Sequence, residues 1–460
     1  MLSGDKEGAR VHEAVSHLDD EQFESAVSTV EHAREGIGPA VLVCPRCDAS
    51  IQWDLRDPAY GIGRCPCGEM PLAAGVVLTG ADARAATALE AIRGGDFRGA
   101  RRLVLGRFAR RVRVIESLGM RLTFRRFLRH TLLGRAADLW PVQRLLEWRG
   151  LRSLGSKLTA AGQFNTYLRH RLCTPGLLGM VGLLGMLDGR RGLVLDAPCG
   201  FGHLSYLISK LIDPRRIVCT DRSAAHAYAA RRFFVPHARA ALAADLCRPL
   251  PLPDRAFAMI FCVDGLQYLH DKRAAVRSFM RLLRDDGVLV IGHSPNPAFP
   301  AAYLDHALTP AQHRELFKGH HVRMFPGGYL PSQHLSGEPV DLARRFTEAE
   351  LEAAPMWDVI VANSASTFRS VPNVSQRMAD AATNPQLNEM YRMRRTGTSV
   401  ILRRRLPRVL ADECRRFPQI LPPHLELPTD WVSSARGRLT FANPAQLLRQ
   451  YVLLDVPDEH

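Results

Sequence analysis

Residues 193–202, Leu-Val-Leu-Asp-Ala-Pro-Cys-Gly-Phe-Gly, decide the fold. An apolar run closes on Asp196, and the chain then turns through Gly200 and Gly202 into the helix-like stretch 203–210. Glycine permits positive φ and close approach of backbone to a ligand, and Asp196 places a carboxylate at a strand's C-terminal end, where open α/β sheets bind ligands. Two later apolar runs end the same way, 216–221 on Asp221 and 240–245 on Asp245. The alternation of short apolar strands with helical stretches predicts a parallel sheet with right-handed crossovers and helices on both faces.

Three carboxylates at successive strand ends suit a ligand with an amino group, a ribose diol and an adenine amine. They do not suit a pyrophosphate, which Asp196 would repel, and Ser205 stands where a dinucleotide site has its third small residue. Over residues 193–403 the chain resembles the class I methyltransferases that use S-adenosylmethionine (SAM), specifically their broad small-molecule-type group. The resemblance is carried by 194–202, by Asp221, and by Ala244-Asp245-Leu246 with the following Leu250-Pro251-Leu252-Pro253-Asp254. The strand 259–263 and the segment 282–291 complete it. It implies a doubly wound, mostly parallel seven-stranded sheet. It also implies roles: Gly200 and Gly202 approach the methionine part, Asp221 takes the ribose hydroxyls, Asp245 with the Leu246 amide reads adenine, and Asp196 orients the amino end.

At 460 residues, 46% of them hydrophobic and 23% charged, the chain has the composition of a soluble globular protein of two or three domains. The net charge of +15 comes almost wholly from arginine, since lysine occurs only at positions 6, 157, 210, 272 and 318. A basic balance of this kind argues for nonspecific association and not for a particular partner. The longest apolar stretch, 177–187, is too short and glycine-rich to span a bilayer and reads as a packed helix before the first strand. The segment 1–20 is polar and acidic, unlike a secretory leader, so a reducing cytoplasm is expected.

Four of the ten cysteines cluster as Cys44-Pro-Arg-Cys47 and Cys65-Pro-Cys67-Gly68. Two knuckles flanking a strand-like stretch at 50–53 make a zinc-ribbon layout, in which four thiolates close a structural tetrahedral Zn²⁺ site. The second knuckle has one residue between its cysteines where two are usual. Residues 41–80 resemble the small zinc-ribbon proteins that accompany some methyltransferases. Cys199, Cys219, Cys247 and Cys262 lie in or beside core strands and read as small hydrophobes.

The expected organisation is a polar leader (1–38), the ribbon-like module (39–80), an α-helical connector (81–175), the SAM-binding domain (176–405, with insertions at 297–345 and 365–397) and a C-terminal appendage (406–460). The connector carries Arg107, Arg110, Arg111, Arg113, Arg121, Arg125, Arg126 and Arg129, a face able to grip phosphates or to lie solvated. The first insertion reads as a lid or substrate wall, and 398–403 as the closing antiparallel strand. Against the resembled family, Ala258 replaces an aspartate, and Gln267-Tyr268 stand where a pair including histidine is common. The general base is therefore open among His293, at the end of the fifth strand, Tyr268, Asp264 and His270.

The leading functional expectation is methyl transfer from SAM to oxygen or nitrogen of a small molecule, a secondary metabolite or a carrier-bound intermediate. An RNA methyltransferase is the alternative that would use the ribbon and the basic helices, but no Asn/Asp-Pro-Pro-aromatic motif follows the fourth strand. A scaffold that holds SAM without transferring methyl is the third reading.

Overall fold

The computed structural model describes residues 42–79, 83–106, 171–299, 306–388, 390–405, 420–435 and 438–456. The expected leader and the connector's arginine run lie outside these described residues.

An eleven-stranded sheet organises the chain. Its parallel heart consists of β5 (Leu193–Asp196), β6 (Ile217–Asp221), β7 (Ala240–Ala243), β8 (Phe257–Val263) and β9 (Leu283–Pro295) in the order β7-β6-β5-β8-β9. Both faces are covered, so the central residues of these strands are apolar, with successive residues going to opposite sides. Val194, Met259, Phe261 and Val290 join the core under helices α3 (Gly176–Gly182) and α4 (His203–Ser209). Leu195, Ile260, Cys262 and Ile291 join the core on the other face, with Phe279 of α6 (Lys272–Leu282).

Beyond β9 lie β11 (Met356–Ala362), antiparallel to it, and then β10 (His321–Pro326) at the edge, antiparallel to β11. The expectation of a lid at 297–345 is corrected here: this segment contains the edge strand β10 of the sheet. Its helix α7 (Tyr329–Ser336) packs on α3, where a Cβ at Gly179 would come 2.8 Å from the Pro331 Cδ. The expected closing strand at 398–403 is also corrected. Ser399–Arg404 pairs with Tyr391–Arg395 and His424–Pro428 in a separate three-stranded antiparallel sheet, while the closing strand is β11, buried along its whole length.

At the opposite edge the ribbon is not a separate bead. Strands β1 (Gln52–Asp57), β2 (Tyr60–Cys65), β3 (Gly68–Ala73) and β4 (Val76–Leu78) form an antiparallel meander whose last member runs parallel to β7, pairing Val77 with Leu242 and Leu78 with Ala243. Two helices cover it. In α1 (Ala83–Arg93) the buried Ala85, Ala88 and Ile92 recur at helical spacing; α2 (Phe97–Leu105) is capped by Asp96, whose side chain accepts the Gly99 N–H. They pack with Ile62, Val76 and Tyr228 of α5 (Ala224–Ala229) in one cluster.

Candidate functional site

The carboxyl ends of β5 to β8 surround one cavity of about 340 Å³. Of the residues singled out from sequence, Asp196, Gly200, Asp221, Asp245, Leu246, Asp264, Tyr268 and His270 line it; Gly202 and His293 do not.

Asp196, 1% exposed, ends β5. Its Oδ2 accepts hydrogen bonds from the Ser205 N–H at 3.1 Å and the Ser205 hydroxyl at 2.6 Å, tying the strand end to the start of α4. Ser205 therefore serves the carboxylate. Burial pushes the Asp196 carboxyl up to about 7 despite these bonds. Between them the turn uses left-handed Gly200 (φ 52°) and Gly202 (φ 93°). A Cβ at Gly202 would stand 2.8 Å from the backbone of Ala230, so this glycine is required by packing beneath α4.

Asp221 ends β6 and stitches two turns together. One oxygen accepts the Gly200 N–H at 3.0 Å, the other the Ser223 N–H at 2.8 Å, and His226 Nδ1 lies 3.3 Å away. Asp245, two residues past β7, accepts the Cys247 N–H at 3.0 Å and is followed by buried Leu246.

The fourth corner is built by Asp264, just past β8. It forms an ion pair with Arg171 and lies 2.9 Å from His293 Nδ1. His293 follows β9's main run with φ 56°, which turns its ring beneath Asp264 and away from the cavity. Its N–H donates to Asp358 Oδ1 at 3.0 Å. Burial alone would raise the Asp264 carboxyl, but Arg171 and His293 hold it well below the usual carboxylate range. Burial pushes Asp358 up to about 6, and it would lower His293, whose imidazole is nevertheless held above its ordinary value chiefly by Asp264. Tyr268 stands on the rim, 58% exposed.

Sequence reasoning missed Arg171, which comes to the cavity from 22 positions before β5 with no motif around it. Only tertiary placement gives it meaning.

In the ribbon, the Sγ atoms of Cys44, Cys47, Cys65 and Cys67 all lie within 4.8 Å of one another, and the Arg46 guanidinium braces the second knuckle through the Cys67 carbonyl at 3.0 Å.

Residues 194–287 match a family model described as a methyltransferase domain. A search of curated proteins returned no match. Among solved structures, the chain is similar to a TehB-like SAM-dependent methyltransferase from Corynebacterium glutamicum, at 20% identity over 40% of this chain and 88% of that one, with a TM-score of 0.28. It is similar also to a SAM-dependent methyltransferase from Aquifex aeolicus, at 13% identity over 41% and 97%, with a TM-score of 0.28. A third is phosphoethanolamine N-methyltransferase 2 from Haemonchus contortus in complex with SAM, at 14% identity over 42% and 52%, with a TM-score of 0.29.

The matched segment, read with the sheet order and the acid-lined cavity, defines a class I methyltransferase domain. Residues 194–287 thus carry a methyltransferase domain, and SAM is the cofactor that such a domain implies. The donor set suits that cofactor: three carboxylates facing one cavity offer acceptors to amino and hydroxyl groups and would repel a phosphate. No helix among the described residues is long and apolar enough to cross a membrane.

Proposed function

We propose that this protein transfers a methyl group from SAM to oxygen or nitrogen of a small molecule. The observation that carries the reading is the convergence of Asp196, Asp221 and Asp245 on one cavity beside the Arg171–Asp264 pair. Asp221 would hold the ribose hydroxyls, Asp245 and the Leu246 amide the adenine, Asp196 the amino end, and the Gly200 turn the methionine backbone.

When bound, SAM supplies an electrophilic methyl group on a sulfonium. The protein's part is to hold the acceptor in line with it and to exclude water, which accounts for most of the acceleration available to such a displacement. Asp264 is the carboxylate best placed to orient an acceptor N–H or O–H. It stays ionised and is a weak base, so it works as a hydrogen-bond acceptor. His293 acts through it as a positioning residue, and Tyr268 stands where the acceptor enters.

The four ribbon cysteines would hold a structural Zn²⁺. Their thiols cluster closely enough for one tetrahedral ion, and the second knuckle's short spacing is accommodated where Gly68 adopts φ 140°. A reducing cytoplasm suits such thiols. The proposed catalytic domain of 176–405 is shortened to end before 385, since 385–404 pairs with the C-terminal strands.

The test is to incubate purified protein with methyl-labelled SAM and fractionated cell extract. Label entering small molecules supports the reading. Label in RNA favours a polynucleotide acceptor, and label in neither favours a SAM-holding scaffold.

A further inference from the structure

The strap 171–174, which delivers Arg171 to the cavity, belongs to no helix or strand, so its buried carbonyls need donors from elsewhere. The donors come from the far end of the chain. The Tyr451 hydroxyl donates to the Leu172 carbonyl and lies 3.3 Å from that of Thr174. Asn388 Nδ2 donates to the Cys173 carbonyl at 3.2 Å and to the Tyr451 carbonyl at 3.0 Å.

Both gripping residues are themselves fixed. Asn388 is fully buried; its backbone N–H donates to Val452 at 2.9 Å, and its side-chain oxygen accepts the Met390 N–H at 3.0 Å. Tyr451 is 6% exposed and is held at φ 58°, a conformation uncommon for a residue with a Cβ. The same module also takes hold of α4, the helix that begins at the glycine turn. Asp455 accepts the Tyr206 hydroxyl at 2.8 Å, pairs with Lys210 at 2.8 Å, and accepts the backbone N–H groups of Thr383 and Asn384.

We propose that this C-terminal module is a positioning element of the SAM site. Tyr451 and Asn388 hold the 171–174 strap so that the Arg171 guanidinium stays on Asp264 at the cavity wall, while Asp455 holds α4 against the same wall. The proposal rests on the reading of the cavity as the SAM site. It gives a function to a segment that follows the seven strands of the catalytic sheet.

The experiment measures SAM affinity by calorimetry, well below the melting temperature, for the full chain and for Y451F, R171A and the double variant. Hydrogen exchange of the ligand-free proteins is followed alongside at residues 171–178 and 262–268. Y451F is expected to raise the SAM Kd roughly threefold to thirtyfold. R171A is expected to raise it at least as much, and the double variant no further than R171A alone. N388S, which removes the amide bonds to the Cys173 and Tyr451 carbonyls, replaces Y451F in the cycle should the latter not fold.

A variant that melts earlier yet binds SAM as the parent does would overturn the proposal, as would simple additivity in the cycle. If the parent chain binds no SAM, the functional reading has failed, and exchange decides the positioning claim. Faster exchange at both segments in Y451F supports it, and change confined to the neighbours of Tyr451 overturns it.

Discussion

His293 Nδ1 lies 2.9 Å from Asp264 Oδ2, and the two residues occupy left-handed backbone at φ 56° and 51° at the ends of adjacent strands. Neither conformation is comfortable for a residue with a Cβ, and each is fixed by its neighbours. The Asp264 N–H donates to the Gly292 carbonyl at 3.0 Å, and the His293 N–H to Asp358. The histidine thereby becomes part of the support for a cavity carboxylate.

His293→Asn tolerates the left-handed backbone and keeps the backbone bond to Asp358, but removes the imidazole from Asp264. We expect it to cost about 1–2 kcal/mol of stability, the scale for losing a hydrogen bond to a charged group, as measured by urea unfolding at pH 7. A loss below about 0.5 kcal/mol, the range of ordinary surface changes, would show that the network is not a structural support.

Asp196 gives a pH signature whose sign follows from its raised carboxyl. The unfolded chain titrates near pH 4 and the folded one at about 7, so the folded state holds the proton more tightly. The stability this confers is full below pH 4 and is lost as pH rises through 7. Asp196→Asn, neutral at every pH, should therefore be more stable than the parent at pH 8, by about 2–4 kcal/mol. The gap should close toward pH 4. Urea unfolding of SAM-free protein at pH 5 and pH 8 checks this, and a gap that widens toward acid would refute it.

The ribbon is joined to the catalytic sheet where β4 pairs with β7, two residues before Asp245. The Thr79 N–H donates to the Ala243 carbonyl at 3.1 Å, and the Val43 N–H donates to the Pro251 carbonyl at 3.2 Å. Removing the proposed Zn²⁺ should thus be felt at the adenine end. Cys47→Ser is expected to lower bound zinc, measured by atomic absorption, to below stoichiometric and to weaken SAM binding at least about threefold through this edge. Metal loss with unchanged SAM affinity would separate the two.

What the sequence made legible follows from burial. Strands β5 to β8 and the 287–292 stretch of β9 are covered on both faces, so each appears as an apolar run, and an acid at the end of such a run has few other uses than facing the sheet edge. Asp196, Asp221 and Asp245 were readable for that reason. Strand β10 was not: it is an edge strand, half exposed along His321–Arg323, and its arginine breaks the apolar signal. Strand β11 was readable as a strand but not as the antiparallel one, since direction leaves no mark on composition. The ribbon's merger with β7 was hidden because a parallel pairing across more than 160 residues has no local signature. His293 was found at its strand end, but its positive φ, which turns the ring under Asp264, is not written in the neighbouring residues.

The most direct test of the central claim is calorimetric titration of SAM into the parent protein and into Asp221→Ala. Asp221 accepts the Gly200 N–H at 3.0 Å and faces the cavity, so its removal loses charge-assisted hydrogen bonds to the ligand and loosens the turn beneath it. The parent is expected to bind one SAM per chain and the variant to bind it at least about tenfold more weakly. Equal affinities, or a parent protein that takes up no SAM, would contradict it.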